Sequence, residues 1–108
     1  MHLPTDQISA DLLKLPVVMT PRAWREAVHL ERPQRLEEIT SRLSDVIWLA
    51  YRELHFQPER SQIDFGLYRF LPNGDRSNRV WLDLRLHRIN AESGNSYLCV
   101  SLRDEAPA

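Results

Sequence analysis

The chain has 108 residues, with 14 Lys and Arg against 15 Asp and Glu, and 43% of its residues are hydrophobic. This length suits one domain, and no apolar run approaches the about 20 residues that a membrane-spanning helix needs. The first residues also lack the basic segment and apolar run of a signal peptide. These features exclude membrane, collagen-like and strongly basic classes. They predict a single soluble domain over residues 1–108, with a loosely ordered segment at 1–14.

The cysteine and histidine pattern argues against disulfide, metal and cofactor chemistry. Cys99 is the only cysteine, so the chain cannot form an internal disulfide, which suits a reducing cytoplasm. The four histidines and Cys99 do not have the spacing of metal ligands. The three glycines form no phosphate-binding loop. We therefore expect a cytoplasmic protein without a bound metal or cofactor.

The N-terminal part of the chain predicts a short strand followed by a short helix. The apolar run at 15–20 is bounded by prolines, which indicates an extended segment or a strand at a sheet edge. Thr20 followed by Pro21 is typical of a helix start, because threonine caps the first turn and proline suits the first helical position. The short helix is predicted at 21–30, with Trp24 as its anchor to the core.

A longer helix is the strongest structural prediction. It is expected at 33–54, where apolar residues recur at helical spacing: Leu36, Ile39, Leu43, Val46, Ile47, Ala50 and Leu54. Its second half is apolar all round from Val46 to Tyr51, so this part must be covered on more than one side. The short helix, the N-terminal segment or a second subunit would cover Trp48 and Tyr51.

The C-terminal half alternates with a period of two residues, which predicts strands at 62–71, 79–88 and 97–103. Asn73-Gly74 is a strong hairpin signal. A two-residue turn there predicts the cross-strand pairs Leu67 with Val80, Phe65 with Leu82, and Ile63 with Leu84. The looser second turn at 90–95 requires a loop of odd length, for example one that places Leu86 opposite Leu98 and Leu84 opposite Val100. The predicted fold class is α+β: a three-stranded antiparallel meander, with a fourth short strand at the N-terminal edge, packed against one long and one short helix.

The sheet face opposite the leucines carries aromatic and charged side chains in alternation. Its candidate partner-binding residues are Tyr68, Trp81, Arg85, His87, Tyr97 and Arg103. Three interpretations are open: ordinary solvated cross-strand pairs, a protein–protein or homodimer interface, and a stacking surface for single-stranded nucleic acid. The near-neutral charge disfavours the nucleic-acid interpretation. The register of the first hairpin places Trp81 across from Gly66, and the looser register of the second places Trp81 near Arg103 and His87 near Tyr97.

A second candidate surface lies on the long helix and comprises Arg42, Asp45, Trp48, Tyr51 and Arg52. The spacing of Arg42 and Asp45 is typical of a surface ion pair, and the alternative is a buried polar contact that fixes the Trp48 face.

A catalytic set of Asp83, His87 and Cys99 can also be drawn on the outer sheet face. Such sets are recognised by measured geometry, and nothing but Arg85 across the strand pair would activate the thiol. We therefore expect no enzyme activity.

Several segments of the chain, in this order and spacing, form a recognisable pattern. They are Pro16-Val17-Val18-Met19-Thr20 followed by Trp24, Arg42-Leu43-Ser44-Asp45-Val46-Ile47-Trp48-Leu49-Ala50-Tyr51, Phe65-Gly66-Leu67-Tyr68-Arg69, the Leu-rich strand after it, and Val100-Ser101-Leu102-Arg103-Asp104-Glu105. Over roughly residues 12–105 they resemble a family of small uncharacterised bacterial proteins carried on plasmids, integrative elements and phages. This family has no assigned activity, so it supplies no functional residues. The resemblance implies an accessory protein of a mobile element that binds a host or element protein, including as an inhibitor of a host defence or regulatory system.

Overall fold

The computed structural model describes residues 13–31, 35–70 and 79–105. Within them the chain forms β1 (Val17–Met19), α1 (Pro21–Ala27), α2 (Leu36–Phe56), β2 (Gln62–Phe70), β3 (Arg79–Asn90) and β4 (Ser96–Leu102). The strands form one sheet in the order β1-β4-β3-β2. The predicted α+β class is confirmed.

The sheet differs from the predicted meander in one respect. Strands β2, β3 and β4 pair antiparallel as neighbours, but β1 pairs parallel to β4, so the sheet is mixed rather than purely antiparallel. The parallel pairing follows from the connection, because α1 and α2 separate β1 from the meander and allow the chain to cross over. The predicted strand at the N-terminal edge is therefore present as β1. A loosely ordered segment was predicted for 1–14, and residues 1–12 of it lie outside the described residues.

Both helices cover the same face of the sheet. Their buried residues form one core with the leucines of the strands: Ala23, Ala27, Val28, Val46, Ala50, Leu54, Ile63, Leu84, Leu86, Leu98, Val100 and Leu102. No helix in the described ranges is long and apolar enough to cross a membrane. The opposite face of the sheet carries the polar and aromatic positions of the alternating pattern.

The start of α1 is as predicted, but its contact with the core is not. The Thr20 hydroxyl oxygen accepts a hydrogen bond from the Ala23 N–H at 3.1 Å, which caps the first turn. Trp24 is not the anchor, because 40% of it is exposed while Ala23 and Ala27 are fully buried. Ala23 and Ala27 lie on the same face of α1, and their small side chains let the helix lie close to the sheet. Trp24 follows Ala23 in the sequence and therefore lies at the edge of that face.

The predicted strand registers are wrong by two residues. The structure pairs Leu67 with Leu82 and Leu86 with Val100. A shift of two keeps every leucine on its predicted face, because side chains alternate with a period of two. The hydrophobic pattern therefore could not distinguish the two registers. The predicted Asn73-Gly74 turn lies outside the described residues.

The shift changes the neighbours that were expected on the outer face. Trp81 stands opposite Tyr68 rather than Gly66, and it does not stand next to Arg103 across the β3–β4 pair. His87 stands opposite Cys99 rather than Tyr97, which pairs with Ile89 further along the strands.

The all-apolar end of α2 is covered in part by the N-terminal segment. The Tyr51 hydroxyl donates a hydrogen bond to the Leu15 carbonyl oxygen at 2.6 Å. Leu15 also packs against the core cluster. This agrees with one of the three coverings considered for that helix end.

Candidate functional site

Two large aromatic side chains lie together on the outer face of the sheet. The rings of Tyr68 and Trp81 meet edge to face, with centroids 5.1 Å apart and planes at 75°. The exposed fractions are 61% for Tyr68 and 53% for Trp81. The guanidinium of Arg79 lies 5.7 Å from the Tyr68 ring centroid, within reach of a cation–π interaction. We call Tyr68, Arg79 and Trp81 the aromatic patch.

Trp81 is held in one position although half of it is exposed. Its indole N–H donates to Asp83 Oδ1 at 2.8 Å. The ring also lies over Gly66, where an added Cβ would come within 2.6 Å of Trp81 Cζ2. Gly66 thus provides the space that the indole occupies. A rigid, exposed aromatic side chain offers a large contact area with little loss of conformational entropy on binding.

A network of charges adjoins the aromatic patch. Arg85 donates to both carboxylate oxygens of Asp64, at 2.8 and 3.4 Å, and Arg103 Nε lies 3.5 Å from Asp64 Oδ2. The pKa of the Asp64 carboxyl is lowered, chiefly by the hydrogen bond from Arg85 and further by the charges of Arg85, Arg103 and His87. The Asp64 carboxylate therefore neutralises part of the positive charge of Arg85 and Arg103.

The lowered pKa of Asp64 predicts a loss of stability in acid. Because the folded-state pKa lies below the unfolded value, the stabilisation is complete above the unfolded pKa and is lost as the pH falls through the folded one. We expect Asp64→Asn to unfold at lower urea concentration than the unmodified chain at neutral pH. The difference should begin to narrow once the pH falls below the ordinary aspartate pKa of about 3.9. A constant difference across this range would contradict the contribution of the Asp64 charge.

The predicted outer-face residues divide into neighbouring and separate groups. Tyr68 and Trp81 are in contact, and Arg85 and Arg103 share Asp64. Tyr97 stands opposite Ile89, eight residues along β3 from Trp81 and thus about 26 Å away. Arg79 was not among the predicted site residues, although it lies two residues from Trp81 on the same face of β3.

The alternative catalytic set is only partly assembled. His87 and Cys99 are cross-strand partners, but the Asp83 carboxylate accepts the hydrogen bond of the Trp81 indole. Partial burial raises the pKa of the Cys99 thiol, and the negative charge of Glu105 raises it further. Among the described residues, no group of His, Cys, Asp and Glu could hold a metal ion.

The raised pKa makes Cys99 a poor nucleophile, because the thiolate is the reactive form. We expect the folded protein to react with iodoacetamide at neutral pH more slowly than the urea-unfolded chain. The rate should increase as the pH rises. A folded protein that reacts faster than the unfolded chain at neutral pH would reopen the catalytic interpretation.

The second candidate surface is divided between buried and exposed groups. Arg42 is 8% exposed, and its Nε donates to the Val28 carbonyl oxygen at 2.9 Å, so it joins α2 to the end of α1. Asp45 pairs with Arg69 of β2 at 3.2 Å. This agrees with the buried-contact interpretation of Arg42. Arg42 and Tyr51 thus hold the fold together, while Trp48 and Arg52 are half-buried at its rim.

Arg69 is a charged residue on the core-facing side of β2 and was not among the predicted site residues. It is 8% exposed, and its Nη2 donates to the Arg42 carbonyl oxygen at 2.7 Å. The sequence does indicate that Arg69 faces the core, because it follows Ile63, Phe65 and Leu67 in the period-two pattern.

Comparison with known proteins gives no relative. No protein-family model, no curated protein and no solved structure matches this chain. The resemblance to proteins of mobile elements stays a prediction.

Proposed function

We propose that this chain is a non-enzymatic protein that binds another protein through the aromatic patch. The observation that carries the proposal is the Tyr68–Trp81 pair, which is exposed and yet fixed by Gly66 and Asp83. Binding hot spots are enriched in tryptophan, tyrosine and arginine, and the aromatic patch contains one of each.

The charges beside the aromatic patch favour a protein partner over single-stranded nucleic acid. Arg85 and Arg103 are paired with Asp64, and Asp83 places a carboxylate against the Trp81 indole. A nucleic-acid surface needs free cations for the phosphates and ring faces on which bases stack. Edge-to-face rings beside carboxylates fit the mixed polar and apolar surface of a protein better.

The resemblance to mobile-element proteins adds a proposal for the class of partner. In this proposal the chain acts in the cytoplasm and binds a protein of the bacterial host or of the element, and inhibition of a defence or regulatory system would be one consequence. The single cysteine supports that compartment, because structural disulfides are rare there.

The experiment compares capture by the unmodified chain with capture by Trp81→Ala/Tyr68→Ala. A protein retained from bacterial lysate by the first and lost by the second is purified and titrated against both. We expect the double variant to lower the affinity by about 100-fold or more, because two clustered aromatic contacts are removed. The free energy of unfolding should fall by no more than about 1 kcal/mol, since both rings are largely exposed.

Phe56→Ala is the matched control, because Phe56 is as exposed as Tyr68, at 61%, but ends α2 away from the aromatic patch. It should leave the affinity unchanged. A double variant that binds as tightly as Phe56→Ala would contradict the proposal. Retention of an oligonucleotide that disappears with rising salt would instead support the nucleic-acid alternative.

A further inference from the structure

We propose that two copies of this chain associate antiparallel along the outer edge of β2, so that their sheets become continuous. β2 ends the strand order, and in the described part of the chain no strand lies beside its outer edge. It is nine residues long, against three for β1 at the opposite edge. A long open edge presents unpaired backbone groups that another strand can bind.

The backbone of β2 is oriented for this pairing. The Arg88 N–H donates to the Ser61 carbonyl oxygen at 2.8 Å, one step before the first paired residues of β2 and β3. Paired positions alternate in an antiparallel ladder, so the odd-numbered residues of β2 bond to β3. The even-numbered residues from Gln62 to Tyr68 direct their N–H and C=O groups outward. The Gln62 carbonyl fits this orientation, because it accepts a hydrogen bond from the Arg60 side chain at 3.4 Å.

A shallow cleft lies at the same edge. It is lined by Leu67 and Tyr68 of β2 and by Trp48 and Leu49 of α2. Consecutive side chains of a strand point to opposite faces of the sheet, so a cleft lined by both Leu67 and Tyr68 opens at the edge. An added strand would therefore find apolar groups beside both of its faces.

The charges of α2 identify the occupant as a second copy. Asp45 and Arg52 line the same cleft, seven residues and thus about 10.5 Å apart along the helix. Within one copy Asp45 pairs with Arg69 and Arg52 with Glu53, each at 3.2 Å, so contacts with a second copy would extend these pairs rather than replace them. In an antiparallel pair of α2 helices related by a two-fold axis near Trp48 and Leu49, each Asp45 faces Arg52 of the second copy. A two-fold interface must be self-complementary, and this spacing of opposite charges on either side of apolar residues meets that requirement.

The edge interface shares Tyr68 with the aromatic patch but does not include Trp81. Trp81 lies on β3, one strand in from the edge, so a dimer formed along β2 leaves its outer surface open. Trp81→Ala alone should therefore weaken partner binding and leave dimer formation intact, so the two proposals can fail separately.

The test is the solution mass by light scattering over a range of protein concentrations. The unmodified chain should reach the mass of two copies. Arg52→Glu should raise the dissociation constant of the dimer by about tenfold or more, because two attractive contacts become repulsive. Leu49→Lys, which places a charge beside the two-fold axis, should leave a monomer.

Arg22→Glu is the matched control, since it makes the same charge change at a side chain that is 60% exposed on α1. It should dimerise as the unmodified chain does, and circular dichroism shows whether each variant is folded. If Leu49→Lys does not fold, Arg52→Glu decides the question. A monomer at every concentration overturns the proposal. A dimer that Arg52→Glu does not weaken, or that is lost in Trp81→Ala instead, overturns it as well.

Discussion

Replacing Arg69 with alanine is expected to lower the free energy of unfolding by about 2–4 kcal/mol. The side chain crosses from β2 to α2, where it donates to the Arg42 carbonyl at 2.7 Å and to Asp45 Oδ2 at 3.2 Å. Alanine removes this hydrogen bond to the Arg42 carbonyl and leaves a cavity where the side chain lay. Asp45 adds little to the loss, because its side chain is 57% exposed and can be hydrated.

The measurement is urea unfolding followed by circular dichroism, with Arg69→Met as the control. Methionine keeps most of the aliphatic volume, and it also removes Arg69 Nε, a buried N–H that has no hydrogen-bond partner in the described structure. The methionine variant should therefore lose less stability than the alanine variant. A loss below about 0.5 kcal/mol for Arg69→Ala would show that the arginine does not join the helix to the sheet.

Replacing Gly66 with alanine is expected to cost about 1–3 kcal/mol of stability and to move the Trp81 indole. The new Cβ would stand 2.6 Å from Trp81 Cζ2 and 2.6 Å from the Leu82 carbonyl oxygen. The indole can rotate away, but the carbonyl belongs to the neighbouring strand and cannot move without disturbing the β2–β3 ladder. The smaller backbone entropy of an unfolded alanine offsets only part of this cost.

A double-mutant cycle separates the two contacts. In a Trp81→Ala background, Gly66→Ala should cost less than in the unmodified chain, because only the contact with Leu82 remains. An equal cost in both backgrounds would show that Gly66 does not position the indole. Partner affinity should fall with Gly66→Ala in the unmodified chain, since the aromatic patch loses its fixed arrangement.

The elements and faces of this fold could be predicted from local pattern. Helical spacing in α2, the Thr20 cap of α1 and the period-two strands each depend on neighbouring residues, and the structure contains all three. Register could not be predicted, because Leu67 opposite Val80 and Leu67 opposite Leu82 both place apolar residues together. The contacts of Trp81 with Gly66 and of Arg69 with α2 could not be predicted either. Each joins residues that are distant in the sequence and that meet only in the folded chain.

The sequence pattern predicted which residues share the outer face of the sheet, but not which of them are in contact. Alternation placed Tyr68, Trp81 and Arg85 on one side of the sheet, and the structure has them there. Their grouping depends on register, which brings Tyr68 against Trp81 and leaves Tyr97 at the far end of the strands. Whether an arginine is free or paired depends on geometry too, as Asp64 shows for Arg85 and Arg103.

The indole N–H resonances of the three tryptophans test most directly whether the chain binds its partner through the aromatic patch. In a ¹⁵N-labelled chain, Trp24, Trp48 and Trp81 each give one indole N–H signal, assigned by single substitutions. On titration with the captured protein partner, the Trp81 signal should shift or broaden, because its N–H lies beside Asp83 in the aromatic patch. The Trp24 signal should stay in place. A partner that moves the Trp24 signal and leaves that of Trp81 unchanged would contradict binding through the aromatic patch.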